Sequence, residues 1–346
     1  MLIIIRRQIE YCWRLCVVVH FFAARYLSVL LLYMMSTASK KSSDDAKMMC
    51  CASCGIAAVD GIKLNDCDDG CDLVKYCSDE CQENHREQHE EGCRKMLRDK
   101  DLFTMPDESN LGECQICCLP LSIDRSKSSV MPCCSKRVCN GCNIANANRE
   151  MAEGLEQRCV FCREPVANSE EEAAKYCVKR IKKNDPAAMS HMGKRHHDEG
   201  DYETALKYLT KAAGLGDVDA HYALSLIYCN GDGVDKDVKK HIYHWEEAAI
   251  AGHPYARHNL GVIEKNKGRF ERARKHFIIA ANLGLHESLQ ELRKLYAKGH
   301  ASKDDYAGAL RAYQAAVDAT KSEDREKAEK AMLERRNVSY YLPFIL

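Results

Sequence analysis

The hydrophobic pattern of the chain changes along its length. From about residue 170 to residue 335, alanine, leucine and tyrosine recur at the three- and four-residue spacing of amphipathic helices, with almost no proline or cysteine. Residues 1–35 are instead apolar, with Arg25 between the stretches Leu15–Ala24 and Tyr26–Met35. The pattern therefore predicts a helical C-terminal half and a separate apolar segment at the N-terminus.

The apolar segment allows two interpretations. Its window Leu15–Met35 has 21 residues, enough to span a bilayer, but a central Arg25 costs roughly 2.5–3.5 kcal/mol on insertion. The segment is either a membrane or targeting segment, or an extension ahead of a start at Met34 or Met35. Any membrane contact is expected through residues 1–35 alone, and residues 36–49, rich in serine and lysine, predict a linker.

The helical half repeats itself. Gly216, Gly252 and Gly284 each follow an alanine-rich helix end, and Asn184 and Thr320 continue the series at steps of 32, 36, 32 and 36 residues. Each unit predicts a helical hairpin that cannot bury its apolar face alone, so the hairpins are expected to stack into a solenoid. A generic helical bundle is the alternative.

These units resemble the Sel1-like repeat, a relative of the tetratricopeptide repeat. The resemblance covers about residues 184–320 and rests on the turn Asn230-Gly-Asp-Gly-Val234 and on endings such as Lys211-Ala-Ala-Gly-Leu-Gly216. It implies a right-handed solenoid over residues 170–335, with a concave face that binds protein or peptide ligands.

Composition adds one exceptional feature. Lys and Arg balance Asp and Glu at 51 each, so no positive field favours nucleic acid as a partner. Of the 21 cysteines, 18 lie between Cys50 and Cys177. Disulfides in an oxidising compartment and thiolate ligands to metal in a reducing one both account for so many cysteines, and their spacing decides between them.

The first cysteine block comprises residues 50–97. Its ligand-capable residues come in pairs separated by two or three residues, which suits tetrahedral zinc because a short loop aims both side chains at one ion. A disulfide scaffold is the alternative, but it fits poorly beside a second block of Cys-x-x-Cys pairs. Two zinc ions are therefore expected on Cys51, Cys54, Cys67, Cys71, Cys77, Cys81, His89 and Cys93.

The first block resembles the MYND zinc finger, on Tyr76-Cys77-Ser-Asp-Glu-Cys81-Gln82 and the closing His89-x3-Cys93. The resemblance implies interleaved pairs and a surface that binds proline-rich peptides. Arg86 stands where the family has an aromatic residue in its helix, and Cys50 and His85 are spare. One ion is implied on Cys51, Cys54, Cys77 and Cys81, and the other on Cys67, Cys71, His89 and Cys93.

The second cysteine block comprises residues 113–168 and follows a polar connector, residues 98–112. Its three Cys-x-x-Cys pairs predict two more zinc ions, and the block resembles a RING finger across residues 113–166. The family has Cys-x-His where this chain has adjacent Cys133 and Cys134, so that site is expected to be all-thiolate and strained, with Cys118 as a reserve. The resemblance implies one ion on Cys114, Cys117, Cys139 and Cys142, and one on Cys133, Cys134, Cys159 and Cys162.

A RING finger holds a ubiquitin-charged conjugating enzyme in a reactive arrangement, which is catalysis by positioning. By resemblance, the contacts with that enzyme fall on Ile116, Arg163 and Pro165. Val160 replaces the proline that is common inside the last ligand pair. A core position for Ile116 and a solvated surface position for Arg163 are the alternatives.

The sequence thus predicts a multidomain chain: two small cross-brace zinc-binding domains, MYND-like and RING-like, followed by an all-α helical-repeat solenoid. Four zinc ions per chain and a reducing compartment, cytoplasm or nucleus, are expected. The first functional hypothesis is a RING-type ubiquitin ligase or ligase subunit whose MYND finger and repeats recruit substrates. The alternative is a non-enzymatic scaffold that mediates protein–protein interactions.

Overall fold

The computed structural model describes residues 51–54, 64–69, 71 and 74–341. The predicted apolar segment 1–35 and the linker 36–49 lie outside the described residues. Within the described ranges, no helix is both long and apolar enough to cross a membrane. The chain divides between Lys100 and Asp101 into two compact units.

The first unit combines a small sheet with a long helix. Strand β1 (Asn65–Asp66) pairs antiparallel with β2 (Lys75–Tyr76), and α1 follows as Asp79–Phe103, whose last three residues belong to the second unit. Among the residues described here, the buried core is mostly cysteine and consists of Cys51, Cys67, Cys71, Tyr76 and Cys93. A core of this kind among the described residues is typical of small domains that a metal ion or disulfides cross-link.

The second cysteine block lies in the second unit and has the same character. Strand β3 (Ser128–Val130) pairs antiparallel with β4 (Arg137–Cys139), and α2 (Asn140–Ala152) follows directly. Isolated bridges join Glu113 to Pro120 and Arg158 to Pro165, which closes two further turns. Its buried core consists of Cys114, Leu121, Met131, Val138, Cys139 and Cys159.

A run of helices forms the rest of the second unit. Four helical hairpins, α4–α5, α6–α7, α8–α9 and α10–α11, stack in sequence, which confirms the predicted solenoid and excludes the generic bundle. The helices are α3 (Glu170–Ile181), α4 (Pro186–Asp198), α5 (Tyr202–Gly214), α6 (Val218–Asn230), α7 (Val238–Ile250), α8 (Pro254–Asn266), α9 (Phe270–Asn282), α10 (His286–Ala297), α11 (Lys303–Ala319) and α12 (Glu323–Tyr341).

Small residues and caps set the hairpin geometry. The side chains of Asp185, Asp217 and Asp237 accept hydrogen bonds from backbone N–H groups at the starts of α4, α6 and α7. Gly261 lets α8 and α9 approach closely, because a Cβ there would lie 2.7 Å from the Phe277 ring. Tight helix pairing therefore depends on these positions as well as on apolar periodicity.

The predicted series of helix ends is visible in the backbone. Asn184, Gly216, Gly252 and Gly284 all have left-handed φ angles, 57°, 87°, 81° and 95°. Thr320 departs from the series, since its φ is −84°. The last unit therefore ends with a right-handed residue that leads into α12.

The end of α1 and the predicted connector pack on the repeats. Leu102 is buried, and the buried guanidinium of Arg257 donates hydrogen bonds to the carbonyl groups of Leu102 and Ala249. The Phe103 ring lies 4.7 Å from the Arg272 guanidinium. The predicted connector, residues 98–112, thus begins inside α1.

Asp219, in the first turn of α6, joins the second cysteine block to the repeats. Arg125 donates to Asp219 through both of its terminal nitrogens, one at 2.7 Å, and Asn110 donates to it at 3.1 Å. The Lys194 ammonium lies 3.5 Å away. Burial works to raise the pKa of Asp219, but the hydrogen bond from Arg125 and the charge of Lys194 outweigh it and hold that pKa well below its usual range.

Candidate metal centres

The first cluster lies where the opening turn of the first block meets β2. Cys51 bridges to Lys75, and the Ala52 N–H donates to the Lys75 carbonyl at 2.9 Å, which brings the turn alongside the start of α1. The Sγ atoms of Cys77 and Cys54 lie 3.6 Å apart. The cluster consists of Cys51, Cys54, Cys77 and Cys81.

The second cluster contains the predicted histidine. His89 and Cys93 are one helical turn apart on α1, and the Nε2 atom of His89 lies 3.1 Å from the Sγ atom of Cys71. Burial, and then the neighbouring His85, lower the pKa of His89, which favours the neutral imidazole that ligates metal. The cluster consists of Cys67, Cys71, His89 and Cys93, all buried.

The spare His85 lies beside this cluster. Its ring stacks on that of His89 with centroids 5.9 Å apart, and its Nδ1 atom lies 3.0 Å from the Tyr76 hydroxyl. His85 therefore supports the position of the His89 ring and is not a member of the cluster itself.

The third cluster joins the start of the second block to α2. The N–H of Cys139 points at the Sγ atom of Cys114 at 3.5 Å, and that of Cys142 at the Sγ atom of Cys139 at 3.4 Å. Burial works to raise the pKa of Cys114, but backbone N–H groups of Cys139, Cys117 and Ile116 lower it to about 6. The cluster consists of Cys114, Cys117, Cys139 and Cys142.

The fourth cluster contains the adjacent pair, Cys133 and Cys134. The Sγ atom of Cys134 lies 3.8 Å from that of Cys159, and the Sγ atom of Cys133 lies 3.3 Å from that of Cys162. The adjacent cysteines thus reach one site together with Cys159 and Cys162.

A shared turn explains how the adjacent pair reaches one site. In the Cys114 and Cys159 turns, the residue after the second cysteine, Cys118 or Arg163, has a left-handed φ of 53° or 62°. Ser135 has a φ of 58° in the same place, and its N–H donates to the Met131 carbonyl at 2.8 Å. Met131 therefore takes the place of a first cysteine, and the left-handed Ser135 is a feature of the turn that all three sites share.

The sulfur spacing fits a tetrahedral metal ion. Zinc bonds of about 2.3 Å at tetrahedral angles separate sulfur ligands by about 3.8 Å, whereas a disulfide joins them at about 2.05 Å. The closest Sγ pairs in the four clusters lie 3.3–4.0 Å apart, and every described cysteine is a free thiol. Three sets of four thiols and one of three thiols with an imidazole suit zinc.

The electrostatics of the clusters also favour a cation. Burial, followed by the thiols of Cys162 and Cys159, raises the pKa of Cys133. Burial and the thiol of Cys139 raise the pKa of Cys142 in the same way. Thiols packed this closely ionise together only when a positive charge balances them, and a divalent ion supplies that charge.

The three residues predicted to contact a conjugating enzyme differ in how exposed they are. Ile116 is 49% exposed, which excludes the core position that the sequence left open. Arg163 is also exposed, although its Nη1 atom lies 3.5 Å from the buried carboxylate of Glu150. Pro165 is half-buried, and its carbonyl accepts a hydrogen bond from the Tyr176 hydroxyl at 3.1 Å.

Arg86 and Cys118, two residues that stand out in the sequence, are both exposed. Arg86, in place of the expected aromatic residue, is exposed on α1 and pairs with Glu83 at 2.8 Å. The reserve ligand Cys118 is exposed and lies outside the four clusters.

Two family models match parts of the chain. The MYND finger model matches residues 51–93, and the Sel1 repeat model matches residues 186–217, 218–253 and 254–285. The chain carries a MYND finger and Sel1 repeats. The MYND finger contains the first and second clusters, and the three Sel1 repeats coincide with the hairpins from α4 to α9. Neither match includes the second cysteine block, so a RING-type finger stays a prediction.

Two solved structures are similar to part of the chain. A Sel1 repeat protein from Oxalobacter formigenes is 30% identical, with 44% of this chain and 66% of that chain covered and a TM-score of 0.39. The protein c5321, a protective antigen of uropathogenic Escherichia coli with an SLR fold, is 22% identical, with 48% and 37% covered and a TM-score of 0.36. The chain thus spans just under two thirds of the first and just over a third of the second. No curated protein matches it.

Proposed function

We propose that this chain is a zinc-stabilised scaffold that binds protein partners. Both of the matched modules, the MYND finger and the Sel1 repeats, are protein-interaction modules. The clustered thiols are occupied as metal ligands in this proposal and are not nucleophiles. Zinc, when bound, supplies cross-links that replace a large apolar core, and a reducing compartment keeps its thiolate ligands available.

A groove on the Sel1 repeats carries the proposal. A cavity of about 660 Å³ lies between Ile123 to Arg125 of the second block and the first helices of the repeats. Leu226 and Tyr255, both on its lining, remain 38% and 37% exposed although they are large and largely apolar. A cavity of this size and lining holds side chains of a bound peptide segment.

Site-specific photo-crosslinking tests the scaffold proposal. A photoreactive residue in place of Leu226 is expected to give discrete cross-linked products in cells, because a partner segment occupies the groove. Val238, 68% exposed at the start of α7 and outside the groove lining, is the matched control. If the two positions gave the same products, the groove would not be the partner site.

The second candidate function is the RING-type ubiquitin ligase. One observation favours it: the third and fourth clusters interleave along the chain, and Ile116 projects between two third-cluster cysteines with half its surface exposed. In this proposal Ile116, Arg163 and Pro165 contact a ubiquitin-charged conjugating enzyme. The groove and the MYND finger would then hold the substrate.

An autoubiquitination assay with a panel of conjugating enzymes separates the two functions. If the chain is a ligase, it forms polyubiquitinated products. The rate of their formation should fall by about 10-fold or more in both Ile116→Ala and Arg163→Ala, because positioned contacts contribute at least that much to the rate. Val166→Ala, another exposed apolar position in the block, is the control. Activity that survives both substitutions, or no activity with any enzyme, leaves the non-enzymatic scaffold.

A further inference from the structure

An arginine from the C-terminal helix reaches the third cluster. Arg325, in the first turn of α12, directs its Nη2 atom at the Sγ atom of Cys117 at 3.3 Å. The same guanidinium donates to the carbonyl groups of Leu119 at 3.1 Å, Pro120 at 2.7 Å and Thr320 at 2.8 Å. The guanidinium therefore joins the ligand turn to the turn before α12, and Arg325 is not among the residues that the sequence predicts as ligands or contacts.

A glycine at the ligand pair allows α12 to approach this closely. Gly141 lies between the ligands Cys139 and Cys142, and a Cβ there would lie 2.9 Å from the Arg325 backbone nitrogen. Nothing in α2 requires glycine at this place, since alanine is the better helix former by about 1 kcal/mol. The absence of a side chain at Gly141 thus serves the contact with α12.

Other contacts extend the same interface along α12. The ammonium of Lys127 lies 3.0 Å from the Glu329 carboxylate. The side-chain amide of Asn140, directly after the ligand Cys139, lies 3.2 Å from the Met332 Sδ atom. Ala328, next to Glu329 on α12, is buried. The helix therefore lies on the ligand end of α2 for about two turns.

We propose that α12 is part of the third metal centre, with Arg325 acting through Cys117 as a positioning residue. Four thiolates around a divalent ion carry two net negative charges, and a guanidinium donating to one sulfur offsets part of that charge and fixes the ligand. Metal loading of the third cluster and docking of α12 are thereby coupled. The inference rests on the zinc sites of the proposed function.

The coupling has a structural consequence. Because α12 follows α11 through a turn of three residues, Thr320 to Ser322, the metal state of the third cluster also determines how the last hairpin is tied to the second block. Loss of that metal ion is expected to release α12, while the fourth cluster, which Arg325 does not contact, keeps its ion.

Cysteine alkylation during a chelator challenge tests the coupling in the full zinc-loaded chain. Arg325→Gln is expected to speed alkylation of Cys114, Cys117, Cys139 and Cys142 by about 10-fold to 100-fold, the usual cost of losing an outer-shell partner. The fourth cluster in the same molecule is the internal control, and Lys327→Gln, which removes an exposed cation from α12, is the matched variant. Arg325→Lys keeps the positive charge but loses the planar guanidinium with its several N–H donors. Its alkylation rate at the third cluster is expected to lie between those of wild type and Arg325→Gln.

A second variant disturbs the contact between α2 and α12 from the α2 side. Gly141→Ala keeps Arg325 but displaces the α12 backbone, so it is expected to accelerate alkylation of the third cluster in the same selective way. Hydrogen exchange of residues 323–334 should rise in both variants and in wild-type protein after zinc removal.

The outcomes separate this inference from the scaffold proposal. One outcome is that zinc protects the wild-type clusters from alkylation while Arg325→Gln and Gly141→Ala are alkylated at the same rate as Lys327→Gln. In that case the coupling is wrong and the zinc sites stand. If third and fourth clusters are lost equally in the variants, Arg325 has only a general folding role, which also overturns the inference. If no cluster of the wild-type protein is protected by zinc, the zinc part of the proposed function fails first.

Discussion

Removal of zinc is expected to unfold both cysteine blocks while the Sel1 repeats keep their helices. Among the described residues, most of the buried core of the first unit is cysteine, and half of the buried core of the second block is. Structural zinc supplies about 10–16 kcal/mol in comparable fingers. The repeats instead have apolar cores, such as the one around Met189, Leu209 and Leu224.

Hydrogen exchange with and without a zinc chelator measures this difference. Protection should disappear from β2, from residues 79–100 of α1, and from the β3–β4 hairpin, and it should persist in α4 to α9. Zinc added back should restore the lost protection, which excludes irreversible damage. Protection of β2 and β4 that outlasts complete metal removal would contradict the structural role of zinc.

Replacement of Asp219 is expected to detach the second cysteine block from the repeats. Asp219 is 18% exposed and is the common acceptor for Arg125, Asn110 and Lys194. Asp219→Asn leaves two cations beside a neutral amide, which costs roughly 2–4 kcal/mol when one partner is partly exposed. Chemical unfolding of the zinc-loaded chain measures the loss, and hydrogen exchange of residues 107–127 locates it.

Two comparisons make the Asp219 prediction specific. Asp235→Asn removes an exposed carboxylate from the turn before α7 and should change stability by less than about 0.5 kcal/mol. The double variant Arg125→Gln with Asp219→Asn should cost less than the sum of the single variants, because the two groups interact directly. Additive costs would mean that the pair does not hold the block.

The pH dependence of this contact follows from the lowered pKa of Asp219. A carboxyl whose folded pKa lies below its unfolded value, about 3.9, contributes its full stability above that value. The contribution is lost progressively as the pH falls from that unfolded value to the folded pKa. The difference in stability between wild type and Asp219→Asn should therefore stay constant from pH 8 to pH 5.

The ligand clusters could be predicted because their information is local. A pair such as Cys114 and Cys117 is held close together by the short turn between them, so both side chains can face one ion wherever the rest of the chain lies. The repeats could also be predicted from the sequence, because the glycines at their left-handed ends, Gly216, Gly252 and Gly284, recur at regular steps. At Cys133 and Cys134 the turn has the same left-handed position, at Ser135, as the turns of the Cys-x-x-Cys pairs, so the expected adjacent-ligand strain stays a prediction.

The contacts between the second block and the helices could not be predicted in this way. Arg125 and Asp219 are 94 residues apart, and Arg325 and Cys117 are 208 residues apart. A single charged residue on a helix surface has no periodicity, and its sequence neighbours are the same whether it faces solvent or a partner. Thr320 differs, because a β-branched residue disfavours the left-handed φ that asparagine and glycine adopt at the ends before it, so its departure follows from its residue type.

Metal content per chain is the most direct test of the four-centre account. Native mass spectrometry of the reduced, zinc-loaded chain should give four zinc ions, and Cys133→Ser should give three, while Cys118→Ser, outside the clusters, keeps four. A wild-type chain with three ions, unchanged by Cys133→Ser, would show that the adjacent pair does not form a metal centre. A chain that binds two ions or none would contradict the account as a whole.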